Sequence, residues 1–413
     1  MAWGAARRAW HAGKGLSPLM LSAAVLACSC SEDGTSKSRR YIELSSALSQ
    51  APPPVLGAFR TDPKSGAMVA PWGAHEATLS IVPELQRQTL ASLERGRPRR
   101  GATVLLEAKT GRVLALAGYS STQGHDEGIA LQAFAPAASI FKIPAVSALL
   151  RAGLSPDEEV CFSGGKRRLA PRHLDDEVAS RCAPMGDIIP LSLNAALARL
   201  VDKRLPLGSL REEAQRFGFD RPVPFVRPVE TSLASIPADR FERAKAGAGF
   251  GDVHLSALHG AIIASIPANR GQLVWPRLVD ATSGGEPVPT ATTETVMSET
   301  QARELARQMK RTVLEGTGRK AFSQRPSSLA QVSVAGKTGS LTIHETAADY
   351  SWFVGYAPVD KPEVVVATVI ENEVALWYVR GPEVARDALA AYFQLRRHAA
   401  VAQRSVLDST QLQ

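Results

Sequence analysis

The sequence predicts a mixed α+β domain. Its central antiparallel sheet is built from both ends of the chain and flanked by helices, with a mostly helical subdomain inserted between. Three observations predict this. GATVLLEAKTGRVLALAGYS reads as two apolar strands joined by a polar turn. Near the other end, VSVAGKTGSLTI, SWFVGYAP and PEVVVATVIE read as three more strands, each bounded by Gly, Pro or Asp. Between them, from about 155 to 320, the pattern is helices and loops. Strands at the two ends of one domain bury their apolar faces by sharing a sheet.

The elements follow in order. ATLSIVPELQRQTLASL begins as a strand and becomes an amphipathic helix, with Leu85, Leu90 and Leu93 at helical spacing. Lys109, Thr110 and Gly111 form the first hairpin turn, where Gly111 supplies a positive φ. A helix runs from Ser139 through LLRAG, and Gly153 caps its end. Pro144 makes its first turn irregular. A final helix, GPEVARDALAAYFQLRR, closes the domain.

Ahead of the domain, Arg7, Arg8 and Lys14 precede the apolar run Leu16 to Ala27, which is too short to span a bilayer and fits an export signal. The run ends in VLACSC, so residues 1–27 read as a lipoprotein-type signal with Cys28 lipidated; the alternative is ordinary cleavage before an unmodified cysteine. Residues 28–73, rich in Ser, Pro, Gly and charge, read as a tether with one short helix near Tyr41 to Ser49. The domain is expected over 74–396 and a C-terminal tail over 397–413. The chain is therefore expected to be exported and held to a membrane by lipid, facing the periplasm or the outer cell surface.

The 413 residues are 45% hydrophobic, which supports a proper core and excludes wholesale disorder. The net charge of +8 is scattered and no DNA or RNA motif accompanies it, so no nucleic-acid partner is expected. Cys161 and Cys182 have no zinc-like histidine spacing. In an exported chain they read as a disulfide, with two buried free thiols as the alternative.

Three short motifs carry chemistry. Ser139 and Lys142 are one helical turn apart, so hydroxyl and amine share a face. A neutral lysine in a low-polarity pocket can take the serine proton. A second SxxK, Ser163 to Lys166, sits in a Gly-rich stretch unsuited to a helix. Ser192-Leu193-Asn194 opens a helix; it reads either as an N-cap or as a proton-relaying hydroxyl beside a substrate-binding amide. Lys337-Thr338-Gly339 follows an apolar strand that Ser340 continues. Lys337 and Thr338 can bind a carboxylate, and Gly339 leaves room beside the strand. The Ser340 backbone N–H can pair with that of Ser139 as an oxyanion hole.

The order SxxK, SxN, KTG, each on the expected element, resembles the penicillin-binding protein and serine β-lactamase superfamily. REEAQRFGFD, AGAGFGDVHLSALHGAIIASIPANRGQLVWPRLV and VLEGTGRKAF are similar to later landmarks of its transpeptidase domain. The resemblance covers about residues 74 to 395. It implies a β-lactamase/transpeptidase-like fold without metal or organic cofactor. By its pattern Ser139 is the acylated nucleophile, Lys142 the general base, and Ser192 and Lys337 catalytic partners. Asn194, Thr338, Gly339 and Ser340 hold substrate. The implied activity is D,D-transpeptidation of peptidoglycan stem peptides with covalent binding of β-lactams. Alternatives are a D,D-carboxypeptidase, a class D-like β-lactamase, or a non-enzymatic β-lactam sensor. Glu230 is the candidate deacylating glutamate for a β-lactamase. Two departures from the family pattern stand out: Pro190 before Ser192, and SIPANR in place of an Ala-Asn-Gly helix ending.

Overall fold

The computed structural model describes residues 56–165, 168–175, 179–285, 288, 290, 292–374 and 379–410. Its main sheet has six strands: β1 Arg100–Glu107, β2 Val113–Ser120, β3 Gly124–His125, β4 Ala335–Ile343, β5 Ala348–Ala357 and β6 Val364–Glu373. They lie in the order β4-β5-β6-β1-β2-β3, antiparallel throughout. The β6–β1 pairing, from Val364 opposite Glu107 to Glu371 opposite Arg100, joins the two ends of the chain, as the sequence predicted.

Seven helices position the site: α1 Pro83–Arg95, α2 Lys142–Arg151, α3 Ile188–Leu191, α4 Asn194–Arg204, α5 Ala257–Ala268, α6 Glu299–Leu314 and α7 Gly381–Thr410. Side chains of the sheet alternate between two cores, as strand geometry requires. Trp352, Val354 and Tyr356 of β5 and Val365, Ala367 and Val369 of β6 face the larger core, which includes Leu258, Ile262 and Ile266 of α5. Phe353, Ala357, Val364 and Val366 face the other, with Leu85 of α1 and Ala385 and Leu389 of α7. Every residue of α5 is buried, which accounts for its apolar character all round. It ends at Asn269, whose side chain donates to the Ala108 carbonyl at 2.6 Å, while Arg270 takes a positive φ of 54°. This is the local form that SIPANR gives the helix end.

Two boundaries are corrected. Residues 56–72 are not tether. Arg60–Thr61, Met68–Trp72, His75–Leu79 and Val279–Thr282 form a four-stranded sheet, and Leu56, Met68, Ala70 and Trp72 are buried in the larger core. Met68–Trp72 is a short strand inside the stretch read as tether. It is held by its neighbour His75–Leu79, which in turn pairs with Val279–Thr282, a long-range pairing that local periodicity does not reveal. At the other end α7 continues to Thr410, past 396, since no Gly or Pro interrupts residues 397–410. The signal run 1–27, Cys28, the rest of the tether and the Tyr41–Ser49 helix lie outside the described residues. Among the described residues no helix is long and apolar enough to cross a membrane.

Candidate active site

Ser139 lies in a 3₁₀ turn, Ala138–Phe141, that runs directly into α2. Pro144 lacks an N–H for a regular first turn, which suits this tightened entry. The turn is fixed from two sides. The Ala137 N–H donates to the Val253 carbonyl at 2.8 Å, and the Trp352 indole N–H donates to the Pro136 carbonyl at 2.9 Å. Ala138 pays for the bend with a positive φ of 47°.

Lys142 follows at the start of α2 and is fully buried. Burial pushes its amine well below the ordinary lysine range, and the charge of Lys337 pushes it the same way. Its Nζ donates to the Ala248 carbonyl. Ala248 belongs to a single π-helical turn, Ala246–Phe250, in which Gly249 has φ 89°. A Cβ at Gly249 would stand 2.2 Å from the Ala138 carbonyl oxygen and 3.1 Å from the Ser139 nitrogen. Only glycine lets this turn lie against the backbone of Ala138 and Ser139. Sequence reasoning gave Ala248 and Gly249 no role; the run AGAGFG, with no bulky side chain before the phenylalanine, was the available signal.

Ser192 takes a left-handed conformation, φ 54°, at the end of the four-residue α3. Its Oγ donates to Ser139 Oγ at 3.0 Å. The N-cap of α4 is Leu193, without a side-chain bond, so the capping alternative for Ser192 does not hold. Asn194 is the first residue of α4 and is buried. Pro190 is accommodated inside α3, and its carbonyl accepts the Thr317 N–H at 3.1 Å.

Lys337, Thr338, Gly339 and Ser340 lie in β4, an edge strand of the main sheet. Lys337 is buried, and desolvation lowers its amine to about 7. It donates to the Thr338 carbonyl at 2.8 Å. Thr338 Oγ1 and Thr317 Oγ1 share a hydrogen bond of 2.6 Å, which links β4 to the segment that holds Pro190. A Cβ at Gly339 would be 3.1 Å from Trp352 Cβ and 3.4 Å from Ile140, so this strand lies flush on the nucleophile turn. Ser340 is exposed. An edge strand has one side free to pair with an extended peptide.

The remaining candidates fall elsewhere. Lys109 is exposed in the β1–β2 turn, where Gly111 has φ 67° and a Cβ would stand 2.4 Å from the Trp275 carbonyl oxygen. Ser163 precedes Gly164 and Gly165, both at positive φ, and Lys166 lies outside the described residues. The Glu230 carboxylate accepts the Ala133 N–H at 2.9 Å, which occupies it with the chain leading to Ser139. Cys161 and Cys182 face each other across the hairpin Glu159–Phe162 and Arg181–Pro184, with their sulfurs bonded.

A sheet formed by both chain ends, with Lys337 on its edge strand beside a helical turn and helix that carry Ser139 and the buried Lys142, and with Ser192 bonded to Ser139, defines a class of acyl-transfer domain. The family model for the penicillin binding protein transpeptidase domain matches residues 101–389, and the chain belongs to that family. Among characterised relatives, it is 28% identical over 338 residues to the peptidoglycan D,D-transpeptidase PbpA of Mycolicibacterium smegmatis. That match covers 71% of this chain and 66% of the relative, just under two thirds of its length. The fold matches that of penicillin-binding protein A from Mycobacterium tuberculosis, solved as an imipenem acyl-enzyme complex, with a TM-score of 0.64 at 23% identity over 78% of this chain and 80% of that one. It also matches the D,D-transpeptidase domain of a peptidoglycan glycosyltransferase from Eggerthella lenta, with a TM-score of 0.64 at 21% identity over 83% of this chain and 99% of that one.

Proposed function

We propose that the protein is a serine D,D-transpeptidase that acts on peptidoglycan stem peptides through an acyl-enzyme, and that β-lactams acylate the same serine. The observation that carries this reading is the Ser192–Ser139 hydroxyl contact beside two buried lysines. Lys142, held neutral by burial, takes the proton from Ser139 Oγ. The oxygen attacks the penultimate D-Ala carbonyl, and the backbone N–H groups of Ser139 and Ser340 receive the oxyanion. The C–N bond breaks as the proton passes through Ser192 to the leaving amine of the terminal D-Ala. Its carboxylate is held by Lys337 and Thr338, and the arriving anion restores the charge of Lys337. Asn194 holds a substrate amide, and Gly339 lets the peptide lie beside β4.

In the second half an amine from a neighbouring stem attacks the ester, its proton returns to Ser139, and the cross-link forms. Water in place of that amine gives the carboxypeptidase reaction. The hydrogen bond from Ala133 to Glu230 speaks against a glutamate-driven β-lactamase. Export, a lipid on Cys28 and the Cys161–Cys182 disulfide complete the proposal and place the domain at a membrane facing its polymer.

The test has two arms. Fluorescent penicillin labels the purified protein, and mass spectrometry of the digest places the label on Ser139. Purified stem-peptide substrates then yield cross-linked dimers with the wild type and none with Ser139→Ala. Label on any other residue refutes the catalytic assignment; label on Ser139 with released D-Ala but no dimers makes it a carboxypeptidase.

A further inference from the structure

The Cys161–Cys182 bond closes a loop whose described part packs behind the active site. Gly165 lies against the first turn of α4, where a Cβ would stand 2.5 Å from that of Ala195. The 3₁₀ turn Pro171–Leu174 packs on the same helix. His173 Nδ1 accepts the Ala170 N–H at 2.8 Å and shapes that turn. Leu174 is the deepest point: it forms a small apolar cluster with Ala198 of α4, Ala244 and Ala248, all nearly inaccessible to solvent. Leu169, Phe241 and Phe250 pack around it. Ala248 is the residue whose carbonyl accepts Lys142 Nζ, and its neighbour Gly249 touches the backbone of the nucleophile turn. The apolar cluster under Leu174 and the hydrogen bond to the base thus meet in one residue.

We infer that Leu174 and the disulfide-closed loop that carries it are positioning elements for Lys142, acting through the apolar cluster that Leu174 shares with Ala198, Ala244 and Ala248. This rests on the proposed role of Lys142 as general base. A carbonyl in a π-turn is held only by its surroundings, and here one wall is a loop closed at its base by the short Glu159–Phe162/Arg181–Pro184 ladder and the cross-link across it. Opening that link loosens the base of the loop, and the Ala248 carbonyl loses part of the packing that aims it. Water then reaches Lys142. The charged group that faces this amine is Lys337 on β4; Arg151, at the far end of α2, pairs with Glu213 of the helix Ser209–Arg216. Hydration therefore favours protonated Lys142, and acylation requires higher pH.

The experiment measures the second-order acylation constant of the full chain with fluorescent penicillin from pH 5 to 9. The forms compared are oxidised, reduced with thiols counted, Cys161→Ser/Cys182→Ser, Leu174→Ala and Leu174→Met. Reduction, the double serine variant and Leu174→Ala are expected to lower the constant at pH 7 by about tenfold or more. Each also moves the acidic limb of the profile to higher pH, and Leu174→Met restores both. An unchanged constant in protein whose Cys161 and Cys182 are both shown by peptide mapping to be free thiols overturns the inference, whatever Leu174→Ala does to folding. A fall in the constant with no movement of the limb also overturns it, because a purely structural loop behaves that way. If the oxidised wild type is not labelled at all, the failure lies with the proposed function.

Discussion

Ser192 Oγ donates to Ser139 Oγ at 3.0 Å, across a gap of 53 residues in sequence. The bond exists because α3 stops after one turn and Ser192 bends into a left-handed conformation. This aims the hydroxyl across the cleft and away from the helix behind it. Ser192→Ala is expected to lower the acylation constant by roughly 10² to 10⁴, the range of a positioned proton-transfer group, with the melting temperature little changed. Stopped-flow labelling with fluorescent penicillin measures it. A loss under threefold would remove Ser192 from the proton path.

Gly249 tests the contact behind the nucleophile. Its φ of 89° and the 2.2 Å approach of a Cβ to the Ala138 carbonyl make any side chain displace the Ser139 turn. Gly249→Ala is expected to fold with a stability loss of about 1–3 kcal/mol. Its acylation constant falls at least tenfold, since the displacement acts on the attacking oxygen. Calorimetry and labelling on the same sample separate the two effects.

Thr317 has no place in the three motifs, yet its hydroxyl meets that of Thr338 at 2.6 Å. Thr317→Val keeps the shape and deletes that bond. Thr338 then loses the partner that orients its hydroxyl, which on the proposed mechanism faces the substrate carboxylate. We expect the apparent affinity for penicillin to weaken by about 1 kcal/mol, with a smaller change in the limiting acylation rate. An equal loss in both would place Thr317 in the chemical step.

Lys337 links the site to stability. Burial lowers its amine from 10.5 to about 7. Between those values the unfolded chain binds more protons than the folded one, so this contribution to stability rises with pH across the window and is flat below about 7. Lys337→Met removes it. The variant should gain most over wild type near pH 6 and least above pH 10, with a spread on the order of 4 kcal/mol. Urea unfolding across that range measures the difference, and a flat difference would contradict a desolvated amine.

The Trp352 indole, projecting from β5, holds the Pro136 carbonyl. Trp352→Phe leaves that buried acceptor unpaired, at a cost of about 1–3 kcal/mol by denaturant unfolding.

The three motifs were legible because each needs particular residue types at fixed spacing on one element. The sheet from both ends was legible because its strands are long and apolar. What escaped the sequence depends on contacts between distant segments. Met68–Trp72 is a strand because of its partners, not its own pattern. Ser192 reads as a cap in the sequence because capping and relay use the same hydroxyl; the αL turn that carries it off the α4 N-cap is not written in its local pattern. Ala248 acts through its carbonyl and Gly249 through a missing Cβ, and neither leaves a side-chain signature.

The β6–β1 pairing also sets a clock on synthesis. A chain growing from its N-terminus makes Ser139 and Lys142 early, but β6 and β5 arrive more than two hundred residues later. Until then Pro136 has no indole to anchor it, and the lysine of β4 has not yet been made. A partly made or truncated chain therefore carries Ser139 without its setting, and on the proposed mechanism that serine stays inert until nearly the whole polypeptide is available.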